Sequence, residues 1–181
     1  MRIEAIETFL MRAGGPGGLH AAGYPEDRSP QSADASGLSS EGFRHWLFVR
    51  IHCENGLSGV GEASGWPLAQ EAAVRDLADV LVGQDARHIV AITERLKLAM
   101  MPHGCLGTFA SGLIAAIDTA LWDLQGKLLD VPVWQLLGGK MREQIPLYCH
   151  AGNVVAAKEA VSLGYSGVKL SGHSTAVERA S

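Results

Sequence analysis

This chain lacks the features that would send it to nucleic acid, into a membrane or onto a zinc ion. Fifteen Lys and Arg face nineteen Asp and Glu, for a net charge of −4, so no basic footprint for a phosphate backbone exists. The apolar runs break well short of the roughly 20 residues that a membrane-spanning helix needs. The opening MRIEAIETFLMR carries acidic residues inside its apolar run and no cleavage-like site, so it does not read as a secretory signal. Cysteine is scarce. Cys53, Cys105 and Cys149 form an odd, widely spaced set, which reads as free thiols in a reducing cytosol. No Cys or His pair has the short spacing of a zinc site.

What is present is the make-up of an ordinary globular chain. Apolar residues make up 47% and charged residues 19%, enough for a real core. A length of 181 residues fits one domain, or one domain plus a fragment of another.

The pattern along the chain is α+β. Residues 2–11 can form a strand of mixed polarity. Residues 14–42 are rich in Gly, Pro, Ser, Ala and Asp, an unusually long stretch without a pattern inside a compact domain. Across residues 45–53, Leu47, Val49, Ile51 and Cys53 alternate with Trp46, Phe48, Arg50 and His52, which is strand period. Asn55-Gly56 signals a hairpin, because both residues tolerate positive φ. Gly59 and Gly61 in the returning strand, 57–63, imply that something packs close to its backbone.

Helices follow. Pro67 suits a helix start, and residues 68–81 carry helical spacing at Ala73, Leu77 and Leu81, with Gly83 as the stop. Residues 89–101 form a second helix ended by Pro102. In a third, Leu113, Ile117, Leu121, Leu124 and Leu128 make one stripe. Residues 131–137 are a short helix closed by Gly138-Gly139. The expected first domain, residues 1–140, is therefore a three-stranded antiparallel meander backed by a helical bundle.

A different pattern starts after Lys140. Residues 145–150 read as a short apolar strand, 154–162 as an alanine-rich helix, and 165–170 as another apolar strand. This strand–helix–strand order has a parallel-sheet character. The tail, 172–181, has little apolar content.

Three segments, in order, resemble one family. FRHWLFVRIHCENGLSGVGEAS is similar to the capping-domain hairpin of enolase-superfamily enzymes of the mandelate racemase and muconate lactonizing type. AIDTALWDLQGKLLDVPVWQLLGG resembles that family's junction between helices and barrel, and GYSGVKLSG resembles the end of its second barrel strand. The resemblance implies an enolase-like N-terminal capping domain at 1–140, and at 141–181 the truncated start of a (β/α) barrel, which needs roughly 200 residues or more.

The resemblance also implies a chemistry. A base removes the proton α to a carboxylate, and Mg2+ stabilises the enediolate because two negative charges collect on adjacent oxygens in a dry site. Lys169 matches the first lysine of the family's Lys-x-Lys pair, whose role is to hold the substrate carboxylate. Ser171 stands where the proton-abstracting lysine would be, and an unactivated serine is a poor base near pH 7. That disfavours a racemase with bases on both faces. The Lys-x-Ser-Gly form looks more like the sugar-acid dehydratases, among them the galactonate type, where a histidine on the opposite face takes over. Without the resemblance, Lys169 reads as a solvated surface residue.

Other expectations follow from the same resemblance. Residues 14–42 fit the first of two closing loops, with His20 and Tyr24 as donors to a polyol, or else a linker. Ser64 and Trp66 fit the second loop, Trp66 covering a sugar face or merely packing on the first helix. His150, ending the first barrel strand, is either substrate-facing or an edge histidine. Asp118 and Asp123, five apart, read as capping or surface residues. The family's metal ligands lie on barrel strands three to five, so none is expected here, and the chain alone is expected to be inactive. The expected partner is a small carboxylate or sugar acid, in the cytoplasm, with no nucleic acid and no membrane. Competing readings are a racemase or cycloisomerase of the same family, and a non-catalytic binding or oligomerisation module.

Overall fold

The computed structural model describes residues 1–14, 43–63, 66–103, 107–151 and 154–170. The chain divides into two units. One contains Met1–Arg12 and His45–Lys140, the other Met141–Ser181.

The first unit is built on a three-stranded sheet in the order β1 (Ile3–Gly14), β2 (Phe43–Cys53), β3 (Ser58–Ala63). The alternation in β2 is obeyed: Leu47, Val49, Ile51 and Cys53 are buried, and Trp46, Phe48, Arg50 and His52 lie half-buried on the other face. On that outer face Arg50 stacks 4.7 Å over the Phe9 ring, and Glu7 accepts from His52 at 3.2 Å. The β2–β3 turn differs from a two-residue hairpin. Gly56 has φ +83°, whereas Asn55 stays out of the left-handed region. Asn55 uses its side chain instead, its Oδ1 accepting from Leu57 N at 3.3 Å. The bonds Gly56 N to Cys53 O and Cys53 N to Leu57 O, both 2.9 Å, make a three-residue loop whose glycine sits in the bulge position.

Helices cover the buried face: α1 (Pro67–Leu81), α2 (Ile89–Met100) and the long α3 (Thr108–Leu129), with a short α4 (Val133–Leu136). In α3, Leu113, Ile117, Leu121 and Leu124 are fully buried. Leu128 is not; it is 36% exposed. In α1 the buried row is Pro67, Gln70, Val74 and Leu81, and Ala73 and Leu77 only flank it. Gln70 takes its place with its Nε2 donating to Phe109 O at 3.0 Å, which satisfies the donor half of the buried amide.

The sheet and α3 meet at an unusually short distance. A Cβ built on Gly61 would lie 1.9 Å from Ala116 O, and one on Gly59 would lie 2.1 Å from Ala120 O. Only a strand without side chains there, facing a helix with alanines, allows that approach. The register pairs Ile51 with Gly59 and Val49 with Gly61. Given the Cys53–Leu57 bond, the alternation of the ladder turns the Val60 N–H and Ser58 C=O to the open edge. Both are met from α3. Val60 N donates to Asp123 Oδ2 at 2.9 Å, Lys127 Nζ donates to Ser58 O at 2.8 Å, and the two side chains pair at 2.7 Å. Asp123 and Lys127 thus close an edge that would otherwise present free backbone groups.

Two further features hold the unit. Its first residues are sewn between loops: Ile3 N donates to Gln84 O, Gly83 N to Ile3 O and Glu54 N to Arg2 O. At the end of α3, Asp130 adopts φ 53°, ψ 44°, the left-handed cap, and Val131 N returns to Gly126 O at 2.9 Å.

The second unit holds β4 (Tyr148–Ala151), α5 (Val154–Ser162) and β5 (Gly167–Leu170), with the strands paired in parallel. Strand β4 begins at Tyr148 rather than at residue 145, because Pro146 has no N–H for a ladder. Among its described residues, Ala151 and Ala160 are buried.

Two stability outcomes follow. Gly61→Ala should cost about 1–3 kcal/mol or more, since the added methyl meets helix backbone that cannot turn aside; urea denaturation reads this directly. Asp130→Gly should raise stability by about 1 kcal/mol by removing the Cβ from a left-handed position, measurable in the same experiment.

Candidate functional site

Positions 150 and 169 of the second unit stand on one side of a parallel strand pair. The register sets Cys149 against Val168 and His150 against Lys169. Ala151 is buried and Cys149 half-buried, so period two assigns these positions to the side covered by α5 and positions 148, 150, 167 and 169 to the other. A Cβ on Gly167 would lie 3.7 Å from Tyr148 Cβ, consistent with 148 and 167 sharing that open side. Lys169 and Tyr148 are both exposed there. Lys169 lies one residue before the end of β5, and position 150 one residue before the end of β4. A cation at the carboxyl end of a parallel strand, beside a second polar position about 4.8 Å away in the hydrogen-bonding direction, can hold a carboxylate or a polyol oxygen.

Trp66 precedes α1 in the first unit, about half exposed at 48%, with its carbonyl accepting from Gln70 N at 2.8 Å. His20, Tyr24, Ser64 and Ser171 lie outside the described residues, and His150 is described by its backbone alone. At the opposite end of β4 and β5, a concavity of about 520 Å³ is lined by Ile145, Leu147, Leu163 and Tyr165 among others, with no carboxylate, ammonium or imidazole.

In the first unit, a groove of about 520 Å³ runs between α2 and α3, lined by Thr93, Lys97, Ser111, Ile114 and Asp118 with two alanines. Burial pushes the Asp118 carboxyl above its ordinary value, and the Lys97 charge opposes this only in part. Asp85 shows the reverse. Hydrogen bonds from the Arg87 side chain and backbone hold its carboxyl well below the usual range. Burial also pushes the Cys53 thiol up, as suits an inert core cysteine.

Among the described residues, no group of three or more His, Cys, Asp or Glu could hold a metal ion. These residues therefore do not fit the magnesium that the resemblance implies. Among them, too, no helix is long and apolar enough to cross a membrane. Sequence reading set Asp118 and Asp123 aside together, although their surroundings differ. The Asp123–Lys127 spacing of four was a visible signal for a helix-face pair, but its strand partners are 63 and 69 residues away in sequence.

A three-stranded antiparallel sheet backed by helices is the arrangement of an enolase-type N-terminal capping domain. Residues 35–138, more than half of the chain, match the family described as mandelate racemase / muconate lactonizing enzyme, N-terminal domain. The chain belongs to that family. It is 38% identical over 135 residues to a D-galactonate dehydratase of Pectobacterium atrosepticum and 39% identical over 135 residues to one of Ralstonia nicotianae. Each match covers 70% of this chain and 35% of the relative. Among solved structures, a protein of Sinorhizobium meliloti provisionally assigned as an isomerase superposes with a TM-score of 0.76 at 32% identity. That match covers 94% of this chain and 48% of the other. An enolase from Agrobacterium radiobacter, crystallised with sodium and L-malate, has the same fold, with a TM-score of 0.69 at 24% identity. The chain thus spans about a third of these curated relatives and half or less of the solved ones.

Asp118→Asn should stabilise the protein at neutral pH. The folded-state pKa is raised, so the fold binds the proton more tightly than the unfolded chain, and ionisation costs stability as pH rises. The advantage of the variant should vanish as pH falls below about 4, where the unfolded aspartate is also protonated. Thermal melts of both proteins across pH 3 to 8 check the sign.

Proposed function

We propose that this chain is part of a sugar-acid dehydratase of the galactonate type, working by proton abstraction α to a carboxylate. The observation that carries the reading is the 38–39% identity to D-galactonate dehydratases over 135 residues. In such a reaction, loss of the α proton and of the β hydroxyl as water leaves an enol, which becomes a 2-keto-3-deoxy acid. Lys169 holds the substrate carboxylate. Its positive charge draws electron density from that group, which favours removal of the α proton. Position 150, in register beside it, holds a substrate hydroxyl. Ser171 replaces a basic side chain, so it positions the substrate and does not take the proton. His20, Tyr24, Ser64 and Trp66 close over the sugar in this reading. The reading keeps the family's dependence on Mg2+, but no step is assigned to the metal through the residues described. It places the protein in the cytoplasm and regards the 181 residues alone as catalytically inactive.

A second reading, an isomerase or cycloisomerase of the same family, is supported by the Sinorhizobium meliloti structure at 32% identity. The absence of a base at Ser171 weighs against it, because a two-base racemase needs a basic group on each face.

Purified chain incubated with D-galactonate and Mg2+ should yield no 2-keto acid by semicarbazide absorbance. Turnover that disappears in Lys169→Ala would overturn the inactive reading. Carboxylate capture is tested separately. D-galactonate should shift the amide resonances of β4 and β5 in NMR, and Lys169→Ala should weaken that binding roughly tenfold or more, the loss of one charge-assisted contact. Equal binding by the variant would remove Lys169 from the site.

A further inference from the structure

Strand β5 opens on a glycine that its own surroundings do not call for. Gly167 has no positive φ. Among the described residues, a Cβ built there would touch only Tyr148 Cβ, at an ordinary 3.7 Å. Gly59 and Gly61 differ, since helix backbone at 2.1 and 1.9 Å forces both to stay bare. A glycine in a strand loses more backbone freedom on folding than any other residue and offers nothing to pack. A bare strand position without a local cause points to close approach by something else.

The neighbours of Gly167 say what could approach. Tyr148 stands opposite it in the ladder, and Lys169 stands two residues further along the same strand. All three share the side of the strand pair turned away from α5. There Tyr148 is 65% exposed and Lys169 is exposed too. One patch therefore presents an aromatic ring, a strip of bare backbone and, about 6.6 Å along the strand, an ammonium. The ammonium suits a carboxylate. The negative ring face suits C–H groups made slightly positive by hydroxyls on the same carbons. The spacing matches an acid with a long hydroxylated chain better than a two-carbon acid. We propose that Gly167 and Tyr148 form a subsite for the carbon chain of the acid whose carboxylate Lys169 holds. The chain crosses β5 over Gly167 with its C–H groups against the Tyr148 ring. A side chain at position 167 would fill that crossing, which accounts for the glycine. This subsite rests on the proposed role of Lys169 and adds what selects a polyol acid over a short one.

The test titrates the full chain with D-galactonate and with glycolate, a two-carbon hydroxy acid, and follows the amide resonances of β4 and β5 by NMR. D-galactonate should bind more tightly. Gly167→Val, a residue that suits a strand, should weaken D-galactonate roughly tenfold by filling the crossing and leave glycolate unchanged. Tyr148→Ala should weaken D-galactonate roughly tenfold as well, whereas Tyr148→Phe, which keeps the ring, should bind like the parent. Amide spectra show which variants are folded. Folded Gly167→Val that binds D-galactonate as the parent does would overturn the subsite, and so would an equal loss of glycolate. Lys169→Ala separates the two claims. If it abolishes glycolate binding while Gly167→Val leaves D-galactonate untouched, the carboxylate role stands and the subsite alone falls. No saturable shift with either acid would overturn both.

Discussion

The fold depends on how closely one strand approaches one helix. With Gly59 and Gly61 bare, β3 lies against the backbone of α3 at Ala116 and Ala120. Every other feature of the first unit is arranged around that contact. The alanines leave the leucines and isoleucine of α3 free to fill the space beneath Leu47, Val49 and Ile51, where all are fully buried. The short distance also brings the flank of α3 to the sheet edge, where Asp123 and Lys127 satisfy the outward-turned groups of β3. A sheet edge is usually protected by its own residues. Here a helix does it, with an ion pair that would be worth little if it only faced solvent.

This arrangement separates scaffold from chemistry. In the capping unit three charged pairs serve structure: Asp123 and Lys127 on an edge, Asp85 and Arg87 on a loop, and Glu7 and His52 on the outer face of the sheet. In the second unit the described candidate positions, 150 and 169, lie near strand ends. Lys169 is the clearest case. It stands away from α5 beside position 150, in a family whose sugar-acid relatives act on carboxylates. Asp118, in the groove between α2 and α3, has its carboxyl pushed up by burial, with the Lys97 charge opposing this in part.

Several elements were legible because a local rule suffices. The alternation of β2, the glycine signals in β3, and the Leu113–Leu124 stripe each record which side of an element is covered, and the structure honours them. Reading failed where a local rule met a longer-range one. Ile145 and Leu147 look like strand residues, but Pro146 between them withholds the backbone donor. The Asn55-Gly56 hairpin signal did hold, with positive φ taken up at Gly56. Leu128 continues the stripe of α3 in sequence but is exposed.

The sequence alone determined the order and kind of elements, the core faces, the family and the presence of a lysine near the end of an apolar strand. These are properties of periodicity, turn chemistry and motif, all carried within a few residues. Only the tertiary structure decided that Gly61 faces Ala116, that Asp123 serves a strand 63 residues earlier, that position 150 stands in register with Lys169, and that Asp118 and Asp123, five residues apart, have opposite surroundings. The physical reason is that packing distance, ladder register and desolvation depend on which segments meet, and no short stretch of chain encodes its own partner.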